Sequence, residues 1–74
     1  MRVEVVTRQG CHLCEYALTA IRDLGAVPHE LDVDSDPALL DQYDFRVPVV
    51  LVDGRVVAEG RISKDRLAQV LVKE

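Results

Sequence analysis

"VPVVLVDGRVVAEG", residues 47–60, is the stretch that decides the fold. Two β-branched runs, Val49–Val52 and Arg55–Ala58, flank the dipeptide Asp53-Gly54. A two-residue Asp-Gly loop between such runs predicts a β-hairpin, because that turn needs positive φ at both loop positions and these residues tolerate it. An antiparallel pair therefore lies in the C-terminal half, and the rest of the chain has to be fitted around it.

Upstream, Asp36-Pro37 reads as an N-cap followed by proline at the first helical position, with a short helix through Leu39, Leu40 and Tyr43. Residues 27–33 read as a strand. From Cys11 to about Leu24, apolar residues at Cys14, Ala17, Leu18, Ile21 and Leu24 keep helix spacing on one face, and Gly25 follows as a stop. Val3–Thr7 is a short β-branched run, a strand expected to be buried on both faces. Downstream, Ser63 is placed to cap a helix running to about Val72, with Ile62 and Leu67 at the positions of a hydrophobic staple. The order is β-α-β-α-β-β-α. A right-handed first crossover makes strands one and two parallel, and the hairpin adds two antiparallel strands. The expected result is an α/β domain with a mixed four-stranded sheet and helices on both faces.

Composition narrows what such a domain does. The chain has 74 residues, 49% of them hydrophobic, which is enough for one domain with an ordinary core. A net charge of −4 argues against nucleic acid, and three aromatic residues are too few for a base-stacking platform. No apolar run approaches the roughly 20 residues of a membrane span. Two cysteines are too few for a secreted disulfide scaffold, and the start Met1-Arg2-Val3-Glu4 has no apolar signal region. A reducing cytoplasm is the expected location.

Both cysteines fall in "QGCHLCEYAL", residues 9–18, at the junction of strand one and the first helix. Three readings compete: a redox pair, part of a metal site, or two core residues. Residues i and i+3 of a helical turn lie on one side, within the Cα separation a disulfide needs. A helix N-terminus presents unpaired N–H groups and partial positive charge, which favour a thiolate at Cys11. Cys14 lies on the apolar side and is expected to be the buried, resolving partner. A closed zinc site needs four ligands, and only His12 and His29 are present to complete one, with His12 between the cysteines. A cluster shared in a dimer is a further alternative. His12 reads as an exposed first-turn residue; when protonated it would favour the Cys11 thiolate. Asp32, Asp34 and Asp36 lack the glycine and distal glutamate of a calcium loop and read as a strand end and helix cap.

With these motifs in place, the sequence resembles a glutaredoxin-like member of the thioredoxin superfamily. The resemblance spans essentially the whole chain and rests on "TRQGCHLC" after strand one, "RVPVVLVDG" with Pro48, and "EGRIS" before the last helix. It implies a thioredoxin-like fold and a dithiol–disulfide oxidoreductase that reduces protein disulfides or glutathione mixed disulfides through Cys11 and Cys14. It implies a cis Val47–Pro48 bond beside the cysteines, where Val47 would offer its backbone to an extended substrate. It makes Arg8 and Arg46 candidates to receive a carboxylate of glutathione or of an acidic partner. No bound cofactor is implied. Electrons would come from glutathione, another low-molecular-weight thiol or a flavoprotein reductase, and the domain would act as a monomer. This sequence also departs from the family pattern. His12-Leu13 stands where glutaredoxins carry Pro-Tyr, Arg46 where threonine often precedes Val-Pro, and Ser63 where an acidic residue binds glutathione. The resemblance thus carries the thiol chemistry, not the identity of the electron donor. The alternative is a non-catalytic adaptor module of the same fold.

Overall fold

Val3, Val5 and Val6 are fully enclosed, which makes the first strand the centre of the molecule. The computed structural model describes residues 1–71. In it, β1 (Val3–Thr7), α1 (His12–Asp23), β2 (His29–Asp32), α2 (Pro37–Tyr43), β3 (Val49–Val52), β4 (Arg55–Glu59) and α3 (Lys64–Leu71) follow the expected order. The sheet order is β2-β1-β3-β4. β1 pairs parallel with β2 and antiparallel with β3, and β3 pairs antiparallel with β4.

Alternation along β1 divides the core in two. Val3 and Val5 point to one face, where they meet Leu18 and Ile21 of α1 and Leu67 and Leu71 of α3. Val6 points to the other, where it meets Val33, Tyr43 and Val49 under α2. Helices therefore cover both faces, and β1 is buried on both, as its β-branched run predicts.

The punctuation residues act as the sequence predicts. Asp53 and Gly54 both take positive φ, 51° and 86°, and close the hairpin. The Arg2 N–H donates to Asp53 Oδ1 at 2.8 Å and the Asp53 N–H to the Arg2 carbonyl at 2.9 Å, so the turn also holds the start of the chain. Gly25 at φ +89° lets its N–H reach the Arg22 carbonyl and that of Ala26 reach the Ile21 carbonyl, which ends α1 in a Schellman motif. Asp36 caps α2 through the Ala38 N–H, and Ser63 caps α3 through the Arg66 N–H. The staple pair Ile62 and Leu67 is buried in the first core cluster.

Three boundaries differ from those the sequence predicts. β2 is shorter than 27–33. Pro28 has no N–H to give a ladder, Val27 is exposed, and the Asp32 side chain accepts the Asp34 N–H to start a 3-10 turn over Val33–Ser35. Leu24 is the C-cap of α1 and is more than a third exposed, so the buried stripe ends at Ile21. β4 runs to Glu59 and carries a bulge: Val50 pairs with Ala58 but Leu51 with Val56, so Val57 is the extra residue. The expected end of the last helix, at about Val72, lies outside the described residues. No helix of the described residues is long and apolar enough to cross a membrane.

Candidate active site

Three strand ends meet at one edge of the sheet: the carboxyl end of β1, the amino end of β3 and the carboxyl end of β4. The chain leaves β1 at Thr7 and turns through Gly10, whose φ is +76°. The Cys11 N–H donates to the Arg8 carbonyl at 3.3 Å. Cys11 is extended (φ −93°, ψ 108°) and is the N-cap of α1. Caps are usually oxygen; here the Cys11 sulfur accepts the Cys14 N–H at 3.2 Å.

Cys11 and Cys14 form a disulfide, with Cα atoms 5.2 Å apart, inside the usual range. Their environments differ. Cys14 is 1% exposed on the inner face of α1, whereas Cys11 is half-buried at the helix start. A thiolate at Cys11 would receive a backbone N–H and face the positive end of the helix dipole. Burial of Cys14 limits reagent access to its sulfur. The geometry thus provides an accessible sulfur with its charge supported and a second sulfur held behind it.

Val47–Pro48 is a cis peptide. The ladder pairs Val6 with Val49, so Pro48 comes opposite Thr7, where the cysteine turn begins. Pro48 is fully buried, and its carbonyl accepts the Gly60 N–H at 2.8 Å, tying the end of β4 to the same corner. Val47 is half-buried against the second core cluster.

Arg8 and Arg46 both lie on this side of the molecule, with their heads already occupied. Arg8 donates to both Asp34 carboxylate oxygens at 3.0 and 3.1 Å, to Asp44 Oδ1 at 2.6 Å and to the Asp44 carbonyl at 3.1 Å. It ties the cysteine turn to the 3-10 turn and to the end of α2. Hydrogen bonds from Arg8 hold the Asp34 carboxyl below the usual carboxylate range. Arg46 forks onto Glu59 at 3.0 and 2.6 Å and lies over the Tyr43 ring, 5.1 Å from its centroid. Hydrogen bonds from Arg46 likewise lower the Glu59 carboxyl. A substrate carboxylate would have to displace an intramolecular one at either arginine.

A groove of about 760 Å³ opens from the first turns of α1 toward β4 and the start of α3. Leu13, Tyr16, Val57 and Ile62 line its floor, and Arg61 and Arg66 its rim. Sequence reasoning misses this groove, although a signal for it exists: Leu13 and Tyr16 lie off the buried stripe of Cys14, Ala17, Leu18 and Ile21 and have no evident core partner. They are 38% and 51% exposed. His12 also borders the groove, with its side chain 98% exposed and Nδ1 4.0 Å from Glu15. Phe45, just before the Val47–Pro48 bond, is 94% exposed.

The chain is similar to known proteins in sequence and in fold. Residues 2–72 match the model of the Glutaredoxin-like domain (DUF836) family. An uncharacterized protein of Mycobacterium tuberculosis is 33% identical over 75 residues, an alignment covering 89% of this chain and 77% of that protein. The X-ray structure of protein XcR50 from X. campestris superimposes with a TM-score of 0.83 at 30% identity, covering 93% of each chain. The crystal structure of the thioredoxin-like protein BC3987 gives a TM-score of 0.74 at 33% identity, covering 95% of this chain and 100% of that one. With its four-stranded mixed sheet, its cysteine pair at the start of α1 and a family match over nearly its whole length, the chain belongs to the glutaredoxin-like domain family of the thioredoxin superfamily.

Proposed function

We propose that the protein is a thiol–disulfide oxidoreductase that reduces disulfides of proteins or mixed disulfides of low-molecular-weight thiols. The observation that carries this reading is the asymmetry of the Cys11–Cys14 pair. One sulfur caps the helix and is accessible, and the other is buried one turn behind it. An adaptor fold would need neither feature.

In the reduced protein, the Cys11 thiolate attacks one sulfur of the substrate disulfide. The substrate S–S bond breaks, an S–S bond to Cys11 forms, and the departing thiolate takes a proton from water. The Cys14 thiol loses its proton, and the resulting thiolate attacks Cys11 Sγ. The second substrate sulfur leaves as a thiolate and is protonated in turn. Two electrons and two protons reach the substrate, and the protein is left with the Cys11–Cys14 disulfide. A thiol donor such as glutathione, or a flavoprotein reductase, returns it to the dithiol, and no resident cofactor takes part. Val47 provides the N–H and C=O against which an extended substrate lies beside Cys11, in the manner of strand addition. Arg8 and Arg46, read from the sequence as carboxylate receivers, serve in this proposal to hold the Cys11 turn and the Pro48 corner in place. The use of only two cysteines fits a reducing cytoplasm, and the protein acts in this proposal as a monomer.

The test is turnover of bis(2-hydroxyethyl) disulfide with dithiothreitol as reductant. Cys11→Ser should abolish activity above the uncatalysed rate. Cys14→Ser should accumulate a mixed disulfide at Cys11, visible by mass spectrometry. Activity that survives Cys11→Ser would overturn the reading.

A further inference from the structure

We propose that the groove beside Cys11 docks an extended segment of the client protein carrying an acidic side chain two positions from an apolar one, so that both face the groove, received by the Arg61–Arg66 rim and by the Leu13–Tyr16 floor respectively. This rests on the oxidoreductase reading and specifies the class of disulfide that is served.

The charge distribution is the first argument. The chain as a whole carries a net charge of −4. The groove does not share that sign. Its one carboxylate among the lining residues, Glu59, is matched by Arg46 through two hydrogen bonds at 3.0 and 2.6 Å. Arg61 and Arg66 make no ion pair among the described residues. The bonds of Arg66 go to neutral groups, Gln69 Oε1 and the Val57 carbonyl, each at 3.4 Å. Two arginines without an acidic partner among the described residues, on the rim of a groove in an acidic protein, are complementary to a carboxylate supplied from outside.

The second argument is local. Arg66 is the third residue of α3 after its Ser63 cap. Cations are unfavourable in the first turn of a helix, and a glutamate at this position would complete a capping box. Nothing in the packing of α3 calls for arginine there: the buried residues of the helix are Leu67 and Leu71. The gain Arg66 makes within the fold is two long hydrogen bonds at 3.4 Å, to Gln69 and to the Val57 carbonyl, and a local preference broken for so little is characteristic of a functional surface.

The apolar floor selects among anions. Leu13 and Tyr16 are exposed on a helix whose other face is already packed, and Val57 reaches the groove through the β4 bulge. A glutathionyl group has carboxylates but no apolar side chain to cover this floor. An extended protein segment with a leucine two positions from a glutamate supplies both on one face.

Docking is measured apart from the thiol step by fluorescence anisotropy on the oxidised protein. Three labelled peptides of equal length, with serine in place of cysteine, carry Glu and Leu, Lys and Leu, or Glu and Ser two positions apart, and are called Glu-Leu, Lys-Leu and Glu-Ser. Glu-Leu should bind about tenfold more tightly than Lys-Leu and about threefold more tightly than Glu-Ser. The Glu-Leu advantage over Lys-Leu should shrink toward unity near 1 M salt, where the screening length falls to about 3 Å. The double variant R61E/R66E should reverse the Glu/Lys preference, which simple loss of fold cannot do. R55E, in the hairpin away from the groove, should leave it unchanged. Equal binding of Glu-Leu and Lys-Leu, or a preference untouched by R61E/R66E, overturns the proposal. So does oxidised glutathione displacing Glu-Leu stoichiometrically at micromolar concentration, which would make the groove a small-thiol site. Turnover of bis(2-hydroxyethyl) disulfide reports separately on the thiol chemistry, so failure of docking and failure of the oxidoreductase reading are distinguishable.

Discussion

Cys11 is at once a helix cap and the candidate nucleophile. The Cys14 N–H that would otherwise go unpaired in the first turn of α1 points at its sulfur. On reduction, this N–H and the helix dipole favour the ionised form, whereas Cys14 is enclosed by the inner face of the helix. Pulse alkylation of the reduced protein across pH should therefore label Cys11 first. The apparent pKa of Cys11 should lie below the free-cysteine value of about 8.5. Faster labelling of Cys14 near neutral pH would reverse the assigned roles. Oxidation should then return a monomer lighter by two hydrogens, read by mass spectrometry under non-reducing conditions.

At the scale of elements, two arginine ion pairs bracket the candidate site. Arg8 joins the cysteine turn to the 3-10 turn and to the end of α2, and Arg46 joins the Pro48 corner to β4. Asp34 and Glu59 ionise more readily in the fold than in the unfolded chain, chiefly because each accepts hydrogen bonds from its arginine. A carboxyl lowered on folding stabilises the fold above its unfolded pKa, about 4, and loses that contribution as pH falls through the folded value. The thermal midpoint should thus hold between about pH 7 and pH 5 and drop below about pH 4. D34N/E59Q should start lower at neutral pH and converge on the parent in acid. A double variant that falls as steeply as the parent would remove the ion pairs from this account. The hairpin is a second element-scale test. Gly54 sits at φ +86°, where a side chain is strained even with open space around it. Gly54→Ala should cost about 1 kcal/mol or somewhat more in denaturant unfolding.

For the whole molecule, β1 divides two small cores, and the larger one locks α1 and α3 to the sheet. Ile21 is fully buried there, on the same helix as the cysteines. Ile21→Ala should destabilise the domain by about 2–5 kcal/mol, the usual range for such a truncation. In a chain of this size that is a large share of the total stability. Chemical denaturation monitored by circular dichroism would measure it, and a loss under about 1 kcal/mol would show that the α1 contact matters less than its burial implies.

Local sequence determined the elements, because their signals are local. Asp53-Gly54 selects a tight turn, Asp36-Pro37 and Ser63 start helices, Gly25 ends one, and the spacing of Cys14, Ala17, Leu18 and Ile21 sets which side of α1 is buried. The cysteine spacing likewise puts both sulfurs on one helical turn, within reach of a disulfide, but spacing alone leaves the redox, metal and core readings open, and the family resemblance is what selects the redox pair. The partners of the charged residues are not. Arg8 bonds to residues 26 and 36 positions away, and Arg46 to one 13 positions away. No local pattern encodes those distances, so arginines that look open to a ligand in the sequence are already engaged by carboxylates in the fold. The groove is hidden for the same reason, since its walls come from α1, β4 and α3 and only folding brings them side by side. Backbone conformation follows from neighbouring residues, whereas an ion pair or a cavity exists only once distant segments have packed.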